Sequence, residues 1–186
     1  MGLLGWLTDR RDRWMMASYV RRGLKLGEDV RIIGKPDFGE EPYLIEIGDH
    51  VTVSSRVSLI THDGATWVFR DRPEYKGLQR FGRIKIGNNC FIGEHSIVMP
   101  GVSIGDNCVV GAGSVVTRSV PDNGVVAGSP ARYICSYEEF VEKTAPQCPH
   151  YSPEVASDPE ALRKVLMETI GAPDRDEIGL PLEARR

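Results

Sequence analysis

From residue 86 to residue 121 a β-branched aliphatic recurs at every sixth position: Ile86, Ile92, Val98, Ile104, Val110 and Val116. Glycine follows at 87, 93, 105 and 111, and the fifth place of each hexad is small or β-branched: Cys90, Ser96, Val102, Cys108, Ser114 and Val120. An amphipathic helix needs apolar residues at i, i+3, i+4 and i+7, and a half-buried strand needs strict alternation; neither runs through these hexads. A short β-branched strand followed by a tight turn, repeated, does fit. A fixed short period outranks assignments made window by window. Three hexads close one triangular turn, and successive turns stack as parallel strands roughly 4.8 Å apart. Each side then buries one aliphatic in a narrow core. The fifth-place residues share that core near the corners and must be small, and Gly, Asn or Asp at the corners accept the positive φ the turns need.

The rhythm begins earlier in the chain. Hexads start at Leu26 and Ile32, then break over Lys35–Pro42, where KPDFGEEP has the Gly, Pro and acid content of a loop. They resume at Ile47, Val53 and Leu59 as one complete coil. They stop again over residues 65–82, which carry Trp67, Phe69, Tyr75 and Phe81 among Arg70, Arg72, Lys76 and Arg80. With residues 65–85 extruded, hexads 47, 53 and 59 stack on hexads 86, 92 and 98. Asp122–Asn123–Gly124 is a turn after the last hexad.

The flanks read as helical. Residues 8–22 predict a helix capped by Thr8 and ended by Gly23, with Trp14, Met15 and Tyr19 on one face. Arg10, Arg11, Arg13, Arg21 and Arg22 occupy much of the rest. Such a helix packs on the open first coil and covers its strand edges; the other readings are weak contact with a membrane surface or a clamp on a neighbouring subunit. Downstream, Ser136 with Glu139 and Ser157 with Glu160 spell two capping boxes. Leu162, Val165, Leu166 and Ile170 line one face of the second helix, which Gly171 ends. The predicted organisation is a helical segment over 1–25, a coil over 26–134 with its loop at 65–82, and a helical tail over 135–186, partly disordered from 172.

The six central hexads, with the stretch Val126, Ala127, Gly128, Ser129, Pro130, Ala131, Arg132 after them, resemble the hexapeptide-repeat acyltransferases. The likeness covers about residues 26–134 and is to maltose/galactoside acetyltransferase-like and polysaccharide O-acetyltransferase-like members. It implies an all-β, left-handed parallel β-helix with a long extruded loop and short flanking α-helices, assembled as a homotrimer. It also implies an enzyme that moves an acetyl group from acetyl-CoA to a hydroxyl of a sugar or polysaccharide precursor. The left hand comes from the resemblance, not from the spacing. One fold serves many chemistries, so function has to be argued from the site.

Composition trims the alternatives. The chain has 186 residues, 23 Lys and Arg against 26 Asp and Glu, and a net charge of −3, which suits one domain with accessory segments. No basic run calls for nucleic acid. No apolar stretch approaches the ~20 residues of a membrane span, and MGLLGWLTDRRDR carries charges too early for a signal peptide. The expected location is cytoplasmic. Cys90 and Cys108 occupy matching fifth places one coil apart and read as stacked core residues. A disulfide or metal pair is the other reading, without the CxxC spacing of zinc sites. Cys135 and Cys148 show no partner logic.

Acyl transfer from a thioester to a hydroxyl needs a base, an oxyanion donor and a grip on the thioester. Neutral His titrates in the range for the base, and the chain offers His50, His62, His95 and His150. The first three fall at the fourth hexad place, a corner, one on each predicted side. Only His62 adjoins the long insertion. The resemblance also points to His62, because the family places its catalytic His in the coil before such a loop. Asp63 is a candidate to orient the ring, as is a backbone carbonyl. Trp67, Arg70, Tyr75 and Arg80 are candidate acceptor-binding residues, since aromatic and cationic side chains suit a sugar ring or an anionic glycan; the alternative is that the aromatics fix the loop to the next subunit.

For acetyl-CoA the resemblance implies Gly111, Ala112 and Gly113, a corner where backbone groups meet the pantetheine amides and glycine permits close approach. It implies Phe91 where many members have Trp. It sets Thr117, Arg118 and Arg132 against adenine and phosphates, a guanidinium suiting phosphate by bidentate geometry. No metal is expected. Transfer is expected to be direct, since no cysteine or serine is placed to carry an acyl-enzyme. Two other readings use the same scaffold. A γ-type carbonic anhydrase-like metal enzyme needs three histidines converging on zinc, whereas here they fall on three sides. A non-catalytic scaffold leaves the histidine before the loop and the terminal stretch without a purpose.

Overall fold

The computed structural model describes residues 10–171. The Thr8 cap and the tail beyond 171 lie outside them. The first helix, α1 (Arg10–Arg21), is followed by fifteen short strands. β1 (Lys25–Leu26), β3 (Ile45–Ile47), β8 (Ile84–Ile86) and β11 (Ser103–Ile104) form one parallel face. β2 (Arg31–Ile32), β4 (Val51–Val53), β9 (Cys90–Ile92) and β12 (Val109–Val110) form the second, and β5 (Ser58–Leu59), β10 (Ile97–Val98) and β13 (Val115–Val116) the third. The chain visits the three faces in rotation, which makes a parallel β-helix of triangular section.

The register is the one the hexads predict. Ile47 pairs with Ile86 and Ile86 with Ile104; Val53 pairs with Ile92 and Ile92 with Val110; Leu59 pairs with Val98 and Val98 with Val116. The six central aliphatics are at most 1% exposed, and the six fifth-place residues at most 6%. Cys90 and Cys108 are both free and buried in that column. The neighbouring Cys108 thiol and burial hold the Cys90 thiol well above its ordinary range, and both side chains serve as small packing groups of the core.

Fourth-place residues turn the corners with positive φ: Asp29, His50, Arg56, Asn89, His95, Gly101, Asn107 and Gly113. One corner is stitched by its own side chains. Asn89 Nδ2 donates to Asn107 Oδ1 at 2.8 Å, and Asn107 Nδ2 to Asn123 Oδ1 at 3.0 Å. Beside this ladder, the Glu28, Asp49, Asn88 and Asp106 amides each donate to the Asx side chain of the next coil. Those oxygens explain the second-place glycines of this corner, Gly27, Gly48, Gly87 and Gly105. A Cβ on Gly48 would meet Asn88 Oδ1 at 2.5 Å.

Three local expectations change. The KPDFGEEP stretch is not a simple break. Asp37 bridges Ser58 in parallel, Leu59 N donates to Asp37 O at 2.8 Å, and Phe38 is 0% exposed. Phe38 stands six residues after Ile32, so it is the missing first-place residue of the third face, concealed by being aromatic. On α1, the residue in the core is Met16, at 0% exposure, with Tyr19 edge-on to Phe38 at 5.1 Å, while Trp14 is 72% exposed. In the tail, the Ser136–Glu139 box forms as read, Ser136 N to Glu139 Oε2 and Glu139 N to Ser136 Oγ. The second does not form, because Asp158, one residue after Ser157, caps α4 (Pro159–Thr169) by accepting from Glu160 N and Ala161 N.

The coil ends in an antiparallel pair, β14 (Gly124–Ala127) with β15 (Arg132–Ser136), and α2 (Tyr137–Thr144) follows. A second compact unit begins at Lys143 and holds α3 (Pro153–Ser157) and α4. Among the described residues no helix is long and apolar enough to cross a membrane.

Candidate functional site

His62 occupies a fourth place, yet it is not among the residues with positive φ, unlike His50 and His95. The reason is topological. Here the chain leaves the coil as β6 (His62–Asp63), which pairs antiparallel with β7 (Arg80–Phe81), the returning end of the insertion. An antiparallel ribbon requires extended backbone. Between these strands lie single-turn 3-10 segments at Gly64–Val68 and Pro73–Tyr75, and residues 71–80 are all exposed. Gly82 N donates to Thr61 O at 2.9 Å, which returns the chain to the coil.

The partner of His62 is Glu41. Nδ1 lies 2.9 Å from Glu41 Oε2, and Thr61 Oγ1 donates to the same oxygen at 2.6 Å. A carboxylate only accepts, so Nδ1 carries the proton and the lone pair is on Nε2. Burial pushes the Glu41 carboxyl up, but the hydrogen bonds from Thr61 and His62, with the charge of His62, outweigh it and hold the pKa below the ordinary value. The Glu41 hydrogen bond raises the His62 pKa, against the opposing effect of burial.

Asp63, the expected orienting group, does something else. Its carboxylate accepts from Ala65 N at 2.9 Å and caps the turn that opens the loop. Glu41 was legible in principle. It is the fourth place of the hexad that begins at Phe38, so it stands on the same corner as His62 one coil earlier. The corner of His50 has a similar pair, Nδ1 to Asp29 Oδ2 at 2.7 Å, but those side chains are 70% and 67% exposed. The His62 and Glu41 side chains are 31% and 14% exposed. A hydrogen-bonded charge withdrawn from water interacts more strongly than one in it, so burial distinguishes the Glu41–His62 pair from the His50–Asp29 pair. His95 lies beside Arg56 NH1 at 3.2 Å on the third corner. The three histidines therefore cannot converge on one ion within a chain.

The loop residues fall into two ring contacts. The Arg70 guanidinium lies over the Trp67 ring at 4.3 Å, and Phe69 meets Tyr75 edge-on at 5.5 Å. Arg80 is the register partner of Asp63. Phe81, not among the expected site residues, is the register partner of His62, and its ring centroid is 5.9 Å from the imidazole.

Of the residues expected to hold acetyl-CoA, Arg118 and Arg132 line one pocket of about 240 Å³, with Val116, Ala131 and Tyr133. It lies on the corner that carries His62, two coils further on, which is about 10 Å along the axis at 4.8 Å per coil. Thr117 is exposed immediately before Arg118. Phe91 is elsewhere, 44% exposed on the second face between Thr52 and Val109. Gly111, Ala112 and Gly113 form the corner between the second and third faces. There Gly111 N and Gly113 N are engaged by Val126 O and Glu94 O, and among the described residues Ala112 makes no hydrogen bond.

The chain is similar to known proteins. The repeat profile described as "Hexapeptide repeat of succinyl-transferase" matches residues 83–118. Protein CapG of Staphylococcus aureus is 54% identical over 123 residues, spanning 65% of this chain and 70% of CapG. The galactoside O-acetyltransferase of Escherichia coli K12 is 40% identical over 99 residues, 50% of this chain and 45% of that enzyme, so less than half of its length is matched. A hexapeptide-repeat acetyltransferase of Vibrio cholerae, solved in complex with acetyl coenzyme A, superposes with a TM-score of 0.52 and 25% identity over 72% of this chain and 81% of its own. The chain belongs to the hexapeptide-repeat acyltransferase family. Membership implies the left-handed sense of the coil and makes the protein an acyltransferase.

Proposed function

We propose that the protein is an acetyl-CoA-dependent O-acetyltransferase acting on a hydroxyl of a sugar or polysaccharide precursor, with His62 as general base. The observation that carries the reading is the half-buried Glu41–His62 pair at the root of the long insertion over residues 65–82. His62 Nε2 takes the acceptor hydroxyl proton as the oxygen attacks the thioester carbonyl. Glu41, bonded to Nδ1, stabilises the imidazolium that forms. The tetrahedral oxyanion collapses, the C–S bond breaks, and the thiolate leaves with the proton His62 held. Trp67, Arg70, Tyr75 and Arg80 are the loop groups available to an acceptor. The names of the relatives support this reading: an acetyl-CoA complex and a galactoside O-acetyltransferase are among them.

Acetyl-CoA is assigned to a groove between subunits of a homotrimer. Its expected contacts favour this, because they lie on different faces of one prism: Phe91 on the second, Ala112 at the next corner, Arg118 and Arg132 beyond the third. One extended ligand reaches both sets only where faces of two copies meet. The unbonded Ala112 backbone suits a pantetheine amide, and the two guanidinium groups suit phosphates.

The test is acetyl-CoA binding by calorimetry for wild type and His62→Ala, followed by thiol release with a panel of sugars. Binding by both and turnover by wild type alone is the expected result. Failure of wild type to bind acetyl-CoA overturns the donor, and turnover by His62→Ala overturns the base.

A further inference from the structure

We infer that Phe81 is the platform on which the acceptor sugar lies, and that the acceptor is a pyranoside presenting a C–H face to Phe81 and an equatorial hydroxyl to His62. This deepens the proposed function and rests on it. Four observations carry it. Phe81 is directly opposite His62 in the β6–β7 ribbon, and directly opposed residues share one face of a sheet. The two rings are 5.9 Å apart between centroids and inclined by 58°, a tilted contact rather than a parallel stack, so the imidazole does not cover the Phe81 ring face to face. Phe81 is 51% exposed, so about half of its surface is open to a ligand. Its place is also held firmly: a Cβ on the next residue, Gly82, would meet Pro100 C at 2.6 Å, and Gly82 N is tied to Thr61 O.

The chemistry follows from the shape of a pyranose. Its axial C–H groups make a weakly apolar face, and its equatorial hydroxyls project from the rim. Binding sites for such ligands combine an aromatic surface with a few placed polar groups. A ring laid on Phe81 directs its rim toward the imidazole, where Nε2 holds the free lone pair. The face supplies affinity and the rim supplies the reacting oxygen. An open-chain polyol carries the same hydroxyls without the face.

The experiment compares a hexopyranoside acceptor with the corresponding alditol, in wild type, Phe81→Ala and Phe81→Trp, by thiol release. Wild type is expected to favour the pyranoside by roughly tenfold or more in kcat/KM. Phe81→Ala is expected to lose that preference through a raised acceptor KM, with acetyl-CoA KM unchanged, and Phe81→Trp to keep it. If Phe81→Ala instead lowers kcat equally for both acceptors and moves the pH profile, Phe81 merely positions His62, and the platform is wrong. An unchanged preference in Phe81→Ala also overturns it. If wild type transfers to no saccharide at all, the acceptor reading of the proposed function falls first, and this inference with it.

Discussion

Replacing Glu41 with Gln keeps the size of the side chain and removes its charge. In the wild type, Glu41 Oε2 accepts from His62 Nδ1 at 2.9 Å with both side chains largely out of water, at 14% and 31% exposure. A hydrogen bond to a charged group is worth about 1.5–3 kcal/mol. As His62 takes a proton in the transition state, that bond becomes an ion pair, and its loss falls on kcat. At about 1.4 kcal/mol per tenfold change, kcat should drop about 10–100-fold, with KM for acetyl-CoA unchanged. The pH profile moves too. The active base is neutral His62, whose pKa Glu41 raises above the ordinary imidazole value of about 6.5, so wild-type activity appears as pH rises through that raised value. Glu41→Gln removes the largest influence that raises the pKa and leaves burial opposed only by the weaker charges of Glu40 and Asp63, so the acid limb shifts to lower pH. Thiol release at saturating substrates, from roughly pH 5 to 9, reads both effects. Asp63→Asn is the control, and its limb should move far less, because that carboxylate is bonded to Ala65 N. A Glu41→Gln variant with wild-type kcat and an unmoved limb would refute the reasoning.

The same pair makes a linkage prediction. His62, with a raised pKa, stabilises the fold below 6.5 and loses that contribution as pH rises through its folded value; Glu41, with a lowered pKa, contributes above 4.5 and loses it as pH falls. The Tm advantage of wild type over Glu41→Gln should therefore be greatest between these two values. Arg118→Gln and Arg132→Gln should each raise KM for acetyl-CoA several-fold while leaving that for acetyl-pantetheine, which lacks the nucleotide phosphates, unchanged; equal losses for both donors would remove the phosphate assignment. Asn107→Ala forfeits two ladder hydrogen bonds and puts Ala at φ +54°, so it should cost about 2–3 kcal/mol by chemical denaturation. Gly82→Ala forces a Cβ against the Pro100–Gly101 backbone and should cost about 1–3 kcal/mol while also disturbing Phe81; wild-type stability would mean that β7 is not held as described.

The coil was legible because its physics is local and repeated. Each hexad states its own strand, corner and core residue, and a three-hexad period stacks them without further information. Even the loop's departure point, and hence His62, could be read from where the repeat stops. Concealment began where a place was filled by an unusual residue. Phe38 stands in an aliphatic position, so the third face of the first coil read as a loop and Glu41 was not seen one coil before His62. At the next step the nearer acid, Asp63, attracted the assignment that belongs to Glu41 by geometry. In the tail, Ser157 suggested a cap that Asp158 supplies one residue later, because several residue types compete for that place.

By itself the sequence determined the period, the phase of the stacked aliphatics in the recognised hexads, the corners on which His50, His62 and His95 stand and the place where the chain leaves the coil. These follow from side-chain size and backbone tolerance, which act within a few residues. Only the tertiary structure decided that Glu41 meets His62, that Phe81 folds back opposite the imidazole, and that Arg118 and Arg132 share a pocket. Those relations join residues 14 to 21 positions apart, and burial, which no single residue encodes, sets the strength of the His62–Glu41 pair.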